Sequence, residues 1–153
     1  RLTSLFDAIH TIAEQHEVQM VMPLHPRTSK LLKKNLDQDI YKAISNSDRI
    51  KILPAVSYVD MISLEMNAKL ILTDSGGVQK EAYFYQKPCI IMRAETEWVE
   101  LVQNGNAVVV DADKEGIITA YDELSKKTDF TYPQFYGDGK AAKRIVTFLK
   151  KNG

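Results

Sequence analysis

The sequence is short of the residues and patterns that mark several classes of protein. It has one cysteine among 153 residues, Cys89, so no disulfide can form within the chain. Lysine plus arginine equals aspartate plus glutamate, 20 against 20, whereas a nucleic-acid binder usually carries a basic excess. No apolar run approaches the ~20 residues of a membrane span. We therefore expect a cytoplasmic protein with no nucleic-acid or membrane partner.

What the chain does contain is enough for one domain with a substantial core. A chain of ~150 residues buries roughly 70% of its extended surface on folding. The hydrophobic fraction of 44% and the charged fraction of 26% are ordinary for a globular domain. The sequence begins at Arg1, inside or just before a predicted helix and without a methionine. We expect residues 1–153 to be one domain of a longer protein.

Helix and strand patterns alternate along the chain. The predicted strands are short and continuously apolar, which is typical of strands covered on both faces. Helices that connect such strands force them to pair in parallel. The sequence therefore predicts an α/β fold, a doubly wound and mainly parallel sheet with helices on both faces, in which ligands bind beyond the carboxyl ends of the strands. The predicted strands are 18–24, 50–53, 69–73, 88–92 and 107–110, and the predicted helices are 2–12, 28–34, 58–67, 78–85, 97–103, 117–126 and 140–151.

The strongest motif, residues 73–82, joins the third predicted strand to a helix. Gly76 and Gly77 let a ligand approach the backbone closely, and the free N–H groups of a helix start suit a phosphate or diphosphate. Ser75 adds a hydroxyl donor. Glu81 would repel phosphate and is better placed to accept hydrogen bonds from ribose hydroxyls. A glycine turn that caps the helix and binds nothing is the alternative interpretation.

A similar Asp-Ser-Gly-Gly pattern surrounds the nucleophile of trypsin-like serine proteases. Those proteins are all-β and need a histidine and an aspartate in a fixed constellation. Here the motif lies between a predicted strand and a predicted helix, so we reject a protease.

A second motif, residues 24–28, follows the first predicted strand directly. Arg27 can contact a phosphate through its planar fork of donors. His25 can donate to phosphate or sugar, or transfer a proton. A polar turn that caps a helix explains the pattern equally well when the motif is taken alone.

A third motif, residues 92–98, follows the fourth predicted strand. Arg93 ends the strand, and Glu97 begins the next predicted helix, where charged groups could bind a sugar or balance a diphosphate. Plain helix capping explains Glu95 and Glu97 as well. We expect Trp98 to pack rather than to stack on a base.

The remaining polar groups have structural interpretations. Asp138, between two glycines, is expected to cap the final helix. His10 and His16 have no cysteine or carboxylate partners at metal-ligand spacing, so we predict no metal site. Cys89 lies in an apolar run and is expected to be a buried structural thiol.

Taken together, these motifs resemble one family over residues 2–150. The chain is similar to the C-terminal domain of non-hydrolysing UDP-N-acetylglucosamine 2-epimerases. The Ser-Gly-Gly turn followed by Gln79 and Glu81 is specific to that family. Residues 95–100 and 25–28 resemble the branch that acts on more decorated sugars, such as UDP-2,3-diacetamido-glucuronic acid.

The resemblance implies a Rossmann-like half of a GT-B fold, with UDP held between two halves. It implies that residues 75–77 hold the diphosphate and that Glu81 binds the ribose. Residues near Tyr58 and Met61 would flank the uracil, although family members often carry an aromatic where Met61 falls. The remaining implied roles are catalytic or on the sugar side: His25 would reach the diphosphate and the reacting sugar, and Arg93 and Glu97 would line the sugar.

The resemblance also implies a reaction. The family removes the C2 proton, expels UDP to give an unsaturated sugar, and re-adds UDP with C2 inverted, without a cofactor. The N-terminal domain, which this chain does not contain, supplies the main acid/base carboxylates. We therefore expect this chain alone to bind nucleotide weakly and not to turn over. Its expected partners are the UDP-sugar, the N-terminal domain and, in the full-length protein, a second copy.

Two other functions stay open at the level of sequence. One is the C-terminal domain of a GT-B glycosyltransferase, which would transfer the sugar to an acceptor. The other is a non-catalytic nucleotide-binding module. Product analysis and uridine-nucleotide affinity would separate the three.

Overall fold

Helices and strands alternate from the first residue onward in the computed structural model, which describes residues 1–152. Within that range there are eight helices and five strands. The helices are α1 (Leu2–Gln15), α2 (Pro26–Asn35), α3 (Gln38–Asn46), α4 (Tyr58–Asn67), α5 (Gly76–Phe84), α6 (Val99–Gln103), α7 (Lys114–Lys126) and α8 (Ala141–Asn152). The strands are β1 (Met20–Leu24), β2 (Ile50–Pro54), β3 (Ile71–Thr73), β4 (Cys89–Ile91) and β5 (Ala107–Val109).

All five strands pair in parallel, as the sequence predicts for an α/β fold. β1 pairs with β2, with Met20 opposite Ile50. β3, β4 and β5 form a second sheet in that order, with Ile71 opposite Cys89 and Cys89 opposite Ala107. The backbone pairing is thus divided into two open sheets, where the sequence predicts one.

A proline lies on the edge where the first sheet stops. The Met20 N–H donates to the Arg49 carbonyl at 2.8 Å, so this edge of β1 faces β2. Because N–H groups alternate between the two edges of a strand, the next residues that could donate on the other edge are Val21 and Pro23. Pro23 has no N–H, so Val21 is left as the donor of β1 on that edge, which weakens further pairing there.

Strand β4 is covered on both faces, which confirms the doubly wound arrangement. Ile90 packs in one cluster with Ile12 of α1 and Ile117 of α7. The adjacent Ile91 points to the opposite face and packs with Ala82 and Leu101. The strand is therefore continuously apolar because helices cover both of its sides.

Helix α1 packs against both sheets. Its Phe6 and Ile9 belong to a cluster with Ile50 of β2. Its Ala8 and Ile12 belong to the cluster of Ile90 in β4. This helix joins the two sheets across the break in backbone pairing.

The single cysteine lies in the middle of the second sheet. Cys89 is 2% exposed and its thiol is free. Burial, followed by the charge of Glu65, raises the pKa of this thiol to about 12. The expectation of a buried structural thiol is confirmed.

Two helices differ from the sequence-based expectation. α3 was not predicted; Asp37 caps it, accepting hydrogen bonds from Asp39 N–H at 3.0 Å and Ile40 N–H at 3.3 Å. α8 forms where it is predicted, but it has no buried residue. Its apolar side chains, among them Phe148 at 66% and Leu149 at 61% exposure, lie on the surface of the described chain. None of helices α1–α8 is long and apolar enough to cross a membrane within residues 1–152.

Truncating a core isoleucine tests this packing. We expect Ile12→Ala, at a fully buried position, to lower the free energy of unfolding by about 2–5 kcal/mol, because it removes apolar contacts and leaves a cavity between α1, α7 and β4. The matched control is Ile145→Ala in α8, where the side chain is 59% exposed. Urea denaturation measures both, and equal losses would contradict the placement of the core.

Candidate functional site

The start of α5 presents unbonded polar groups. The first backbone hydrogen bond of the helix runs from Gln79 N–H to the Ser75 carbonyl at 3.2 Å, so the N–H groups of residues 76–78 precede it. Ser75 holds the N-cap position, yet its hydroxyl makes no capping bond. Thr73 Oγ1 instead accepts from the Ser75 N–H at 3.0 Å. Three N–H groups and one hydroxyl are thus available at the positive end of the helix dipole.

The two glycines at this helix start are not required by the fold itself. Neither has a positive φ. A Cβ on Gly77 would meet only Ser75 Oγ, at 3.8 Å, and a Cβ on Gly76 would meet Glu97 Oε2 at 3.4 Å, which is an ordinary contact. Glycine in a helix costs roughly 0.5–1 kcal/mol relative to alanine. The open space in front of the helix is therefore kept at some expense of stability, as expected where a ligand approaches the backbone.

The loop after β4 folds onto this helix start. Arg93 donates through both terminal nitrogens to Glu97, with Nη1–Oε2 at 3.2 Å and Nη2–Oε1 at 3.0 Å. Trp98 Nε1 donates to the Gly76 carbonyl at 2.8 Å. A backbone hydrogen bond, together with the Arg93 guanidinium, holds the pKa of Glu97 below its usual value. The site therefore carries a bidentate ion pair beside the Gly76 backbone.

The same loop corrects one sequence-based boundary. Helix α6 begins at Val99, two residues after the predicted start at Glu97. Trp98 occupies the N-cap position and makes no side-chain capping bond. Because the Glu97 carboxylate is engaged by Arg93, it does not cap the helix, and the capping interpretation of Glu97 is wrong.

A residue that sequence reasoning left without a role connects the two loops. Gln79 is fully buried, and its Oε1 accepts a hydrogen bond from Thr96 Oγ1 at 2.6 Å. Thr96 Oγ1 also accepts from the Trp98 N–H at 3.1 Å. A glutamine in the first turn of a helix gives no local sign that it is buried. Gln79 is buried because its partner, Thr96, lies on the loop that follows β4.

A second group of predicted residues lies together in a separate cleft. The cleft has a volume of ≈ 310 Å³ and is formed where β1 and β2 end. His25 lines it from the β1 side, and Tyr58 and Met61 line it from the first turn of α4. Tyr58 is 68% exposed. The other lining residues are Pro23, Leu24, Ala55, Val56 and Ser57.

His25 and Arg27 take different positions although they are adjacent in the motif. His25 is the N-cap of α2, and its Nδ1 accepts from the Arg27 N–H at 3.3 Å. An accepting Nδ1 leaves Nε2 to carry the proton of the neutral ring, so His25 presents a donor. Arg27 is exposed in the first turn of α2 and does not line the cleft. The capping interpretation therefore holds for His25 alongside its place in the cleft.

The segment before α8, which contains Tyr136 and Asp138, packs against Trp98 of the site. Asp138 accepts from the Lys140 N–H at 3.1 Å, just before α8, which agrees with its expected structural role. Tyr136 packs edge-on against Trp98, with 5.8 Å between ring centroids. Lys80 Nζ lies 4.4 Å from each of these two rings. These contacts hold Trp98 against α5 and confirm its packing role.

Glu81 lies further along α5, on the side that packs against α4, and is partly buried. For metals, residues 1–152 bring together no group of three or more histidine, cysteine, aspartate or glutamate side chains that could hold an ion.

These features define a class of protein. Open parallel sheets with helices around them, a Ser-Gly-Gly helix start and polar loops at the carboxyl ends of the strands are those of one half of a GT-B-type enzyme. A family model described as UDP-N-acetylglucosamine 2-epimerase matches residues 1–150. The chain belongs to this family.

Individual relatives agree with that assignment. A UDP-N-acetylglucosamine 2-epimerase homolog of Methanococcus maripaludis is 41% identical over 147 residues, which is 96% of this chain and 40% of that protein. A UDP-2,3-diacetamido-2,3-dideoxy-D-glucuronate 2-epimerase of Pseudomonas aeruginosa is 39% identical over 151 residues, covering 99% of this chain and 40% of that protein. The chain thus spans about 40% of the length of these relatives and corresponds to their C-terminal part.

Solved structures show the same fold. The UDP-GlcNAc 2-epimerase of Methanocaldococcus jannaschii matches with a TM-score of 0.87 and 36% identity, over 98% of this chain and 41% of that one. The same enzyme in complex with UDP-GlcNAc and UDP matches with a TM-score of 0.84 and 36% identity, over 98% of this chain and 40% of that one.

The link between Gln79 and Thr96 can be tested by removing one hydroxyl. We expect Thr96→Val to lower the free energy of unfolding by about 1–3 kcal/mol, because the buried Gln79 amide loses its partner. The matched control is Thr119→Val on the exposed face of α7, which should stay within about 0.5 kcal/mol of the unsubstituted protein. Urea denaturation measures both variants. Equal free energies of unfolding would show that the hydrogen bond between Thr96 and Gln79 does not stabilise the fold.

Proposed function

We propose that the chain is the UDP-binding part of a UDP-N-acetylglucosamine 2-epimerase. The longer enzyme would invert C2 of a UDP-2-acetamido sugar by elimination and re-addition of UDP. The observation that carries this proposal is the α5 start, where free N–H groups, the Ser75 hydroxyl and a space kept open by glycines converge.

The diphosphate is assigned to this helix start. The N–H groups of residues 76–78 and the Ser75 hydroxyl are donors, and a diphosphate offers only acceptors. The helix dipole adds a favourable field for its negative charge. Arg93 contributes a cation close to Gly76, and its pairing with Glu97 keeps that cation in place.

The uridine is assigned to the cleft where β1 and β2 end. A cleft of ≈ 310 Å³ lined mostly by apolar groups suits a planar base, and Tyr58 and Met61 are its candidate neighbours. Glu81, further along α5 than the phosphate donors, is assigned to the ribose hydroxyls. His25 lies between the base cleft and the sugar in this arrangement and offers its Nε2–H to the diphosphate. Arg27 is assigned to the outer phosphate edge, because it is exposed in the first turn of α2.

In the proposed reaction, this chain stabilises the departing UDP, and the rest of the enzyme transfers the C2 proton. Loss of the C2 proton and departure of UDP from C1 place negative charge on the diphosphate, which the α5 donors, His25 and Arg93 would stabilise. Glu97, whose pKa is lowered, is a weak proton acceptor, so its assigned part is to orient Arg93 beside the sugar. The carboxylates that move the C2 proton are assigned to the portion that the relatives have beyond this match.

The sugar itself has two candidates of equal standing. The relatives at 41% and 39% identity bear the names of an N-acetylglucosamine and a diacetamido-glucuronate epimerase respectively. Incubating the longer protein with each UDP-sugar, without an acceptor, and analysing the epimers decides between them. A glycoside formed only when an acceptor is added would instead indicate a glycosyltransferase.

A cytoplasmic location and a homodimer of the longer protein complete the proposal. The buried, unpaired thiol of Cys89 is compatible with a reducing compartment. The dimer rests on the family resemblance alone, and light scattering of the longer protein tests it.

Substitutions at the helix start should separate binding from stability. We expect Gly77→Ala to leave the free energy of unfolding unchanged or raise it by about 0.5–1 kcal/mol, and to weaken UDP binding at least about tenfold, since its Cβ enters the phosphate space. Ser75→Ala should weaken UDP binding through the loss of one donor. Calorimetric titration with UDP measures both.

The control for these variants is Ser63→Ala on the exposed side of α4. This control should bind UDP as the unsubstituted protein does. Unchanged UDP affinity in both Gly77→Ala and Ser75→Ala would contradict the assignment of the diphosphate. Absence of any UDP binding, in the longer protein as well, would overturn the nucleotide-sugar function and favour a non-catalytic module.

A further inference from the structure

The ammonium group of Lys80 lies among aromatic rings. Its Nζ is 4.4 Å from the ring centroid of Trp98, 4.4 Å from that of Tyr136 and 6.0 Å from that of Phe84. A lysine on a surface helix ordinarily extends its charge into water. Lys80 is half-buried instead, and it forms no ion pair with a carboxylate of residues 1–152. The position of this charge therefore needs an explanation.

Three separate parts of the chain supply these rings. Phe84 lies one turn after Lys80 on the same face of α5. Trp98 ends the loop after β4, and Tyr136 precedes α8. The Tyr136 ring links the other two, because it lies edge-on to Phe84 at 5.7 Å and to Trp98 at 5.8 Å between centroids. One cation thus lies where three segments meet, and the electron-rich faces of the rings are its partners.

Trp98 also connects this aromatic cluster with the assigned phosphate site. Its indole Nε1 donates to the Gly76 carbonyl at 2.8 Å. That carbonyl belongs to the same peptide group as the Gly77 N–H, which is one of the unbonded donors at the start of α5. A trans peptide group is planar, and its C=O and N–H point in opposite directions. An indole that fixes the Gly76 carbonyl therefore also fixes the direction of the Gly77 N–H.

This peptide group needs such support more than others in the helix. It joins two glycines, Gly76 and Gly77, and glycine has more backbone freedom than any other residue. The hydrogen bond from Trp98 restricts that freedom at the point where a ligand would bind. It also polarises the peptide group, since a carbonyl that accepts a hydrogen bond makes the N–H of the same peptide a better donor. Trp98 can therefore prepare the Gly77 N–H for an anion.

We propose that Lys80 is a positioning residue for the diphosphate: its ammonium holds the Trp98 indole against α5, and the indole aims the Gly77 N–H at the ligand. This inference rests on the proposed function, because that proposal assigns the diphosphate to the start of α5. Lys80 acts through the aromatic rings and does not itself contact the diphosphate. Another cation of similar reach should therefore replace it, whereas a neutral side chain of similar length should not.

The first test follows the hydrogen bond of the indole and needs no ligand. Trp98 is the one tryptophan of the chain, so its indole N–H gives a single signal in a proton–nitrogen NMR spectrum. We expect Lys80→Met to speed the exchange of this proton with deuterium by about threefold to tenfold, because the indole leaves the Gly76 carbonyl more often. We expect Lys80→Arg to keep the slow exchange, since a guanidinium also stacks on aromatic rings.

The matched control is Lys69→Met, which removes one exposed lysine before β3, at the amino end of that strand. This control should leave the exchange of the indole proton as it is in the unsubstituted chain. Equal exchange in Lys80→Met and in the control overturns the inference, and so does an equal increase in Lys80→Met and Lys80→Arg. An increase in Lys80→Met that is matched by its loss of global stability, measured in urea, overturns it as well.

The second test measures UDP affinity by calorimetry in the longer protein. We expect Lys80→Met to weaken UDP binding by about threefold to tenfold, and Lys80→Arg to bind UDP within about twofold of the unsubstituted protein. A double-mutant cycle with Trp98→Phe, which removes the indole N–H, decides whether Lys80 acts through Trp98. The double variant should bind UDP no more weakly than Trp98→Phe alone. Additive losses would indicate direct attraction between the ammonium and the diphosphate, and would overturn the inference.

The outcomes separate this inference from the proposed function on which it rests. UDP affinity that is unchanged in Lys80→Met overturns the role of Lys80 and leaves the proposed function intact. Absence of UDP binding by the unsubstituted longer protein overturns the proposed function, and with it the role of Lys80 for a diphosphate. In that case the NMR experiment still decides whether the Lys80 ammonium holds the Trp98 indole on the Gly76 carbonyl.

Discussion

The parallel register of β3 and β4 is the constraint on which the candidate site depends. Thr73 lies opposite Ile91, and the Met92 N–H donates to the Thr73 carbonyl at 2.9 Å. Both strands therefore end together, and the α5 start and the Arg93 loop leave the sheet side by side. Trp98 can then reach the Gly76 carbonyl, and Thr96 can reach Gln79. A shift of one residue between these strands would separate every pair.

The stability lost at the site is offset by the packing around it. Glycines at a helix start, an amide with one unpaired nitrogen at Gln79 and a buried acid at Glu65 each lower the stability of the fold. Helices α1, α5 and α7 enclose β4 with fully buried aliphatic side chains, and burial of such side chains is the dominant favourable term in folding. Because the sheet is covered on both faces, its packing offsets the cost of burying polar side chains such as Gln79 and Glu65.

The sequence predicted the features that depend on local pattern. Strand positions, the alternation with helices and the glycine helix start all follow from periodicity and from turn chemistry. The family resemblance assigned Tyr58 and Met61 to the uracil and His25 to the diphosphate and sugar, whereas the structure places all three residues along one cleft. Helix α3 was missed although its pattern was readable, since Ile40, Tyr41 and Ile44 lie on one face and Asp37 is an ordinary capping residue.

What the sequence could not predict depends on contacts between distant segments. Helix α6 begins at Val99 rather than at Glu97, and the indole of the preceding Trp98 donates to the Gly76 carbonyl on a distant loop, a contact that no local preference encodes. The burial of Gln79 and Glu65 is set by neighbouring helices and loops, and both residues have the composition of a solvated surface. The edge of β1 on which Pro23 lies is likewise determined by the pairing of β1 with β2, which no local pattern shows.

The location of Cys89 has a consequence for how the chain can be studied. A thiol reacts as its thiolate, and this thiol is both sealed in the central strand and held protonated. Access to it requires β4 to separate from the helices on its two faces, which is the opening of the whole core rather than a local fluctuation. The rate at which a thiol reagent modifies the native chain therefore reports the frequency of global unfolding, with the protein's own cysteine as the probe.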